Sequence, residues 1–377
     1  LDVARQSIIL LKNEAQTLPL HKDRLKKVLI IGENADRIHS NGGGSAEIKA
    51  LYEVTSLLGF KTHAGGNVQV DYLPGYTSWK PQNASDENVN WQQDSLENGG
   101  GATKAKAAED HELMEKRARL RQEALQKAKE AYDAVIFVGG LNHDHDAEGN
   151  DRSDMKLPYE QDLLVEELLK IRSDMIVVMY AGSPVEMPWA EKAQTIVWSY
   201  YAGLEGGDAL ADVLFGNVNP SGKLAETFYH DMNDCSAHAV GEFPGGDHVR
   251  YLEGQLVGYR YNDTMHVNPL FCFGHGLSYT TFEYSEPQRR EENGQTVISC
   301  RVRNTGSVGG SETVQVYSRT DPAQVFQQLC GFEKIYLSAG QECMVEVVTE
   351  TEHETAHEEA AVHFAIGSSS ADIRLTV

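Results

Sequence analysis

Ala134-Val135-Ile136-Phe137-Val138-Gly139-Gly140-Leu141-Asn142-His143-Asp144-His145-Asp146-Ala147-Glu148-Gly149-Asn150-Asp151-Arg152 passes from an apolar run into a polar one within a few residues. The first seven positions are apolar, hold β-branched and aromatic side chains, and close on glycine. That pattern predicts a strand buried on both faces. The polar half then begins at the carboxyl end of the strand, which is the ligand-binding edge of an open α/β sheet. His143 and His145 alternate with Asp144 and Asp146, and Glu148 and Asp151 follow. Like charges at this density push carboxyl groups toward protonation, which a general acid needs. The same letters also suit a solvated acidic loop.

Outward from this stretch, strand and helix signals alternate. Val3 to Leu11 reads as a helix ending near Lys12-Asn13. Lys27 to Gly32 is a second apolar run closing on glycine, and Val68 to Tyr72, Met175 to Tyr180 and Gln194 to Trp198 are further strands. Thr77 to Thr103 has no periodicity and reads as a long surface loop. Lys104 to Tyr132 reads as an amphipathic helix with Met114, Ala118, Leu125 and Ala128 on its apolar face. Leu157 to Lys170, with Pro158 near its start, and Leu204 to Phe215, closed by Gly216, are also helical. Residues 1–225 are therefore expected to form an α/β domain: an open, mainly parallel sheet with helices on both faces. Residues 226–280 are dense in Gly, Pro, Tyr and His and read as an irregular connector up to position 281. From Phe282 the period becomes two, as in Thr296 to Arg303, Glu312 to Tyr317 and Glu342 to Val348. Residues 282–377 thus read as a small antiparallel β-sandwich.

Composition bounds the partners. A formal net charge of −23 repels phosphate backbones and anionic membranes, so nucleic acid and membrane are excluded as partners and a neutral substrate is favoured. No apolar run reaches the roughly 18 residues of a membrane span. Leu1 to Arg5 has neither the basic start nor the long apolar run of a secretory signal. Five cysteines, an odd number at wide spacings without a CxxC, argue against a disulfide framework and for a reducing compartment. The expected location is cytoplasmic, of bacterial type. Asn83-Ala84-Ser85 and Asn262-Asp263-Thr264 match the glycosylation sequon, a motif too short to argue otherwise.

Three ligand motifs fail on the letters. Asp144, Asp146, Glu148 and Gly149 fit the opening of a calcium-binding EF-hand loop, but Met155 stands where its bidentate glutamate belongs. His143 and His145 lack a further nearby imidazole or thiolate for zinc, so no metal is expected. Gly216 to Lys223 has the wrong glycine spacing for a phosphate loop, and Leu224 replaces its hydroxyl residue. Asn41-Gly42-Gly43-Gly44-Ser45 follows the Lys27–Gly32 strand. Its glycines allow close approach of a ligand or another domain, and they equally suit a bare flexible loop.

Five segments in order resemble glycoside hydrolase family 3. Ala4 to Glu14 with Leu18-Pro19-Leu20 resembles the start of that family's second domain. Glu148-Gly149-Asn150-Asp151-Arg152, then Met155, Leu157-Pro158 and Gln161, resembles its acid/base loop. Tyr201-Ala202-Gly203, Ala211 to Gly216 and Asn219 to Leu224 resemble the close of the same domain. Glu253-Gly254, Val257 to Tyr261 and Phe273 to Thr280 resemble the connector. Asn304-Thr305-Gly306, Val314 to Tyr317 and Gly331 to Lys334 resemble a terminal fibronectin type III-like domain.

The resemblance implies a retaining, exo-acting β-glycosidase of β-glucosidase type, with no cofactor. In most members of the family a TIM barrel comes first and supplies the aspartate nucleophile and most sugar contacts. This sequence starts where the second domain starts, so the expectation is a C-terminal portion, inactive alone, that works with a TIM-barrel domain on a β-linked oligosaccharide or an aryl or alkyl glycoside. Position by position, the resemblance makes Glu148 the general acid/base. It makes Asp151 and Arg152 loop braces joined by an ion pair, and lets Asn41, Gly43, Gly44 and Ser45 line the leaving-group side. Ser45 is small near a place where the family often has a large aromatic. Two other readings stay open: a β-xylosidase of the same family, and a non-catalytic carbohydrate-binding or scaffold chain on the same domains.

Overall fold

The computed structural model describes residues 1–40, 48–78, 111–146, 152–241, 243, 245–321, 325–349 and 361–377. Most of the expected Thr77–Thr103 loop, the Asn83 sequon and the expected helix start at Lys104 lie outside these residues. Contacts group the chain into two units, one of residues 1–8 and 12–217, the other of residues 9–11 and 218–377.

The first unit is built on a six-stranded sheet in the order β1-β6-β5-β4-β2-β3. The strands are β1 (Ile9–Asn13), β2 (Lys27–Ile31), β3 (Gln69–Leu73), β4 (Ala134–Gly140), β5 (Ile176–Tyr180) and β6 (Thr195–Trp198). β2 pairs in parallel with both β3 and β4, and β4–β5 and β5–β6 are parallel too. Every residue of β4, β5 and β6 is buried, which is why these strands read as unbroken apolar runs rather than alternating ones. The helices are α1 (Asp2–Ser7), α2 (Ser56–Ala64), α3 (His111–Ala128), α4 (Gln161–Ile171) and α5 (Gly206–Leu214). From β2 the chain moves outward to β3, then returns past β2 to β4. With right-handed crossovers this reversal sends α2 and α3 to opposite faces. α2 packs with α5, and α3 with α4, giving the two helical layers of an α/β sandwich.

Three local expectations are corrected. The helix expected from Val3 to Leu11 stops at Ser7, and Ile9–Asn13 is a strand. Ile8, Ile9, Leu10 and Leu11 are all buried, and four consecutive buried side chains suit a strand covered on both faces, not one stripe of a helix. The helix expected from Leu157 begins only at Gln161, because Tyr159 and Glu160 both take positive φ and Gln161 turns inward. On α3, Met114 is exposed. The buried face instead runs through Leu113, Arg117, Ala124, Leu125 and Ala128, with Arg117 Nε donating to Thr77 O at 3.1 Å.

In the second unit, seven strands form two antiparallel sheets, β10-β9-β12-β13 and β11-β8-β7. They are β7 (Phe282–Glu292), β8 (Gln295–Asn304), β9 (Gly310–Asp321), β10 (Gln328–Leu337), β11 (Glu342–Val348), β12 (Ala361–Gly367) and β13 (Ile373–Thr376). Their inward residues, among them Ile298, Val302, Val316, Val345 and Phe364, share one core, so this part is a β-sandwich. The connector groups with it. Its ends are tied together by Gly274 N donating to Leu224 O at 2.8 Å and by a bridge between Phe228 and Phe271. Between them run two short helices, α6 (Ser236–Ala239) and α7 (Tyr259–Met265). Tyr259 stacks on Phe273 at 4.6 Å, and its hydroxyl accepts from Leu329 N at 2.7 Å. Tyr251, by contrast, is 80% exposed, alongside Val240, Phe243, Val249 and Leu252.

Two glycines carry different backbone demands. Gly140 ends β4 at φ +120°, and an added Cβ would stand 1.9 Å from Tyr180 O. Gly294 sits with Asn293 in the two-residue β7–β8 turn, both at positive φ as a type I′ turn requires, and a Cβ there meets nothing within 4 Å. Gly140→Ala should therefore destabilise the protein by more than about 3 kcal/mol in urea unfolding, since it adds a backbone clash to the strained φ. Gly294→Ala should cost only about 1 kcal/mol, from the conformation alone. Equal losses would contradict this placement of the two turns.

Candidate active site

The reversal of the chain leaves β2 and β4 as neighbours whose carboxyl ends lead in different directions. Such a switch point is where open α/β sheets place their ligands. The segment following β2 runs toward Asn41–Ser45, and the segment following β4 runs toward Glu148. Asn41, Gly43, Gly44, Ser45, Glu148 and Asp151 lie outside the described residues, so their expected roles, and the expected Asp151–Arg152 ion pair, rest on the resemblance. The described residues form the frame on either side of them.

Asn34 and Asn142 organise that frame. Both are buried. Asn34 Nδ2 donates to Leu141 O at 3.0 Å and joins the two segments, while its backbone N donates to Tyr76 Oη at 3.2 Å. Asn142 Oδ1 accepts from Asp144 N at 2.9 Å, and Asn142 O accepts from the His145 and Asp146 N–H groups, also at 2.9 Å. These bonds fold residues 142–146 into a compact turn, the local preference of an asparagine after a strand. Gln161 braces the root of the turn: its Oε1 accepts from Gly140 N and its Nε2 donates to Gly140 O, each at 2.8 Å. A buried glycine backbone is thereby satisfied at both groups.

The acidic and imidazole side chains of the turn go to separate partners. Asp144 pairs with Arg37 at 3.6 Å. Asp146 Oδ2 accepts from Gly182 N at 2.6 Å. His145 Nε2 lies 3.1 Å from Tyr159 Oη. His143 places Nε2 3.3 Å from His39 O and Nδ1 3.3 Å from Asp146 O. The side chains of residues 143–146 therefore do not converge on one point, as ligands of a single ion do. Arg152, on the far side of position 148, donates from Nη2 to Ser183 Oγ at 2.8 Å and to Pro184 O at 3.1 Å.

The sequence assigned no site role to His39, Glu53, Tyr180 or Tyr201, although Tyr201 opens one of the segments that resemble the family. The His39 ring stacks on Tyr180 with centroids 4.5 Å apart, and the Tyr201 ring lies 4.8 Å from His143. Burial, with Asp146 nearby, raises the Tyr201 hydroxyl well above its ordinary pKa, so it stays protonated. Glu53 accepts from the backbone N–H groups of His39 and Ser40 and from the Ser40 hydroxyl, and so fastens the chain at both margins of the glycine stretch. Their shared role does not show in the letters, because His39 meets Tyr180 and Tyr201, which stand far away in sequence.

His39 carries a pH consequence. Its Nε2 donates to Asn34 O at 3.2 Å, and burial, aided by Arg37 and His143, lowers its pKa to about 4. The unfolded chain takes up a proton near the ordinary value of 6.5, while the folded one resists until about 4. The resulting stability is intact above pH 6.5 and is lost as the pH falls toward 4, by roughly 3 kcal/mol at most. His39→Phe keeps a ring against Tyr180 and removes the proton site. Urea unfolding across this window should show a shallower acid loss for the variant, and equal slopes would contradict the assignment.

The glycosyl hydrolase family 3 C-terminal domain matches residues 8–279. A β-glucosidase of Bacteroides ovatus is 38% identical over 403 residues, which cover 100% of this chain and 50% of that protein. An exo-α-(1→6)-L-arabinopyranosidase of Bifidobacterium breve is 33% identical, over 99% of this chain and 47% of that protein. Among solved structures, a β-glucosidase of Kluyveromyces marxianus superposes with a TM-score of 0.84 at 28% identity, over 100% of this chain and 60% of the other. The chain thus spans about half the length of the curated relatives it matches. With the matching domain laid over the α/β unit and the connector, this chain belongs to glycosyl hydrolase family 3, in its C-terminal part.

Proposed function

We propose that this chain supplies the general acid/base, Glu148, to a retaining exo-acting β-glycosidase of β-glucosidase type, and that a TIM-barrel domain supplies the nucleophile. The observation that carries the reading is the half-built character of the switch point. Polar groups crowd it, yet Ile38, Ile48, Leu51 and Tyr52 are exposed along the segment after β2, with Leu51 at 97%. Exposed apolar side chains around polar machinery suit a face that another body covers. The exposed run of the connector, Phe243, Val249, Tyr251 and Leu252, suits the same kind of partner.

The chemistry divides accordingly. Retention needs two carboxyl groups about 5–5.5 Å apart across the scissile bond. One attacks the anomeric carbon and forms a glycosyl-enzyme, and the leaving oxygen takes a proton from the other. The second carboxylate then removes a proton from the water that releases the sugar. In this reading Glu148 is the second group, Asn41 to Ser45 border the leaving group, and the nucleophile faces them from the barrel. The substrate is a β-linked oligosaccharide or an aryl or alkyl glycoside, and no cofactor is required. The relatives' names include both a β-glucosidase and an arabinopyranosidase. Similarity of this order therefore leaves the sugar open, and a β-xylosidase stays within the reading.

The pure chain should give no turnover of an aryl β-glucoside. Joined to its nucleophile-bearing domain it should be active, and Glu148→Gln should then lower rates on unactivated glycosides by roughly 10²- to 10⁴-fold. Azide should restore turnover of activated substrates in Glu148→Ala, because it needs no base to attack the intermediate. Near-normal rates for Glu148→Gln, with loss instead in Asp144→Asn, would move the acid/base elsewhere in the segment. Turnover by the pure chain would overturn the division of labour.

A further inference from the structure

The successive residues Tyr52 to Thr55 are each tied down. The Tyr52 hydroxyl donates to Glu205 Oε1. Glu53 accepts from the backbone N–H groups of His39 and Ser40. Val54 N donates to Leu204 O at 2.8 Å, and Val54 O accepts from Gly207 N at 3.0 Å. Thr55 Oγ1 accepts from Leu58 N at 3.2 Å and caps α2. His39 follows β2, and Leu204 to Gly207 span the passage from β6 into α5. The stretch therefore joins two connections at the carboxyl edge of the sheet, the edge where such sheets bind ligands. Tyr52 is nonetheless 55% exposed, and it is the one exposed Phe, Tyr or Trp among the described residues of the first unit. A free surface tyrosine samples several rotamers. This one is held at its far end, and the Glu205 carboxylate keeps its hydroxyl above the ordinary pKa, so it remains a donor.

We propose that the Tyr52 ring is a wall for the leaving group and gives the enzyme a preference for leaving groups with a flat apolar face, aryl groups above all. The proposal rests on the reading of this chain as the source of the acid/base, and it adds a class of leaving group to that reading. In a retaining glycosidase the two carboxyl groups flank the scissile bond, and the acid/base stands on the leaving-group side. With the nucleophile supplied by the barrel and the acid/base by this chain, the leaving group lies against this chain. A ring already fixed in place loses little freedom when another ring stacks on it, which favours binding. Such an aromatic pair is worth about threefold to tenfold in affinity. The Tyr52 hydroxyl is occupied by Glu205, so the ring face is what remains to offer, and it selects by shape rather than by hydrogen bonding.

The test uses the full enzyme, this chain with its nucleophile-bearing domain, and reads kcat/KM, which reports only the steps up to the glycosyl-enzyme. Two substrates share one sugar: a naphthyl glycoside, whose leaving group is a flat ring system, and the glycosyl fluoride, whose leaving group is a single atom. Tyr52→Ala should lower kcat/KM on the naphthyl glycoside about threefold to tenfold and leave the fluoride unchanged. Tyr52→Phe keeps the ring and should retain most of the activity on both. If Tyr52→Ala lowers both substrates alike, the ring serves the fold or the docking of the other domain, and the wall is overturned. It is equally overturned if neither substrate slows, or if Tyr52→Phe loses as much as Tyr52→Ala. Glu148→Gln, measured alongside, should slow a methyl glycoside and spare the fluoride, which leaves without a proton. If it does so while Tyr52→Ala shows no split, the acid/base reading stands and the wall alone falls. If Glu148→Gln slows neither, the acid/base reading falls and the wall falls with it.

Discussion

The constraint on which the first unit depends is the reversal of chain direction between β2 and β4. Parallel strands buried on both faces must send every connection over the sheet, and right-handed crossovers then fix which face each helix takes. When the chain turns back past β2, the connections at that point go opposite ways. At such a reversal open α/β sheets place their ligand crevice, at the carboxyl ends of the two strands. Asn34, Asn142 and Gln161 spend their hydrogen bonds there on backbone that no helix or strand satisfies. The acidic turn after β4 is thus a consequence of topology before it is a matter of chemistry.

Around the switch point Asp144 and Asp146 are already committed. Asp144 faces Arg37 and Asp146 faces the Gly182 amide, so each is bound into the frame. A carboxyl that must give up and regain a proton is better placed away from such permanent partners. The rings of Tyr180, His39 and Tyr201 stack in one layer, and the burial that lowers the His39 pKa is the same burial that keeps its ring fixed. Stability and pH sensitivity at this point share one cause.

Much of this was legible in the letters because burial leaves a strong pattern. Ala134–Gly140 announced itself as a doubly covered strand, and the change to period two at Phe282 announced the sandwich. Ile8 to Leu11 misled because a short apolar run carries no period, so the neighbouring helical residues claimed it. Tyr159 and Glu160 misled because positive φ at non-glycine residues has no sequence signature, and Pro158 looked like a helix start. Met114 misled by a shift of one residue along the helix, since Leu113 is the buried neighbour. The bonds from residues 182–189 to residues 146–162 were invisible for a different reason: Gly182 N, Pro184 O and Glu186 N are backbone groups, the same in every sequence, and only Ser183 Oγ and Trp189 Nε1 add side-chain partners.

In the proposed function this chain provides the proton and the attacking carboxylate comes from outside it. A 2-deoxy-2-fluoro glycoside with a good leaving group tests this directly, because the fluorine slows release of the covalent intermediate and leaves the sugar on the nucleophile. Peptide mapping of the full enzyme after such labelling should place the sugar on a carboxylate outside residues 1–377. A sugar found on Glu148, or on any other carboxylate of this chain, would contradict the account.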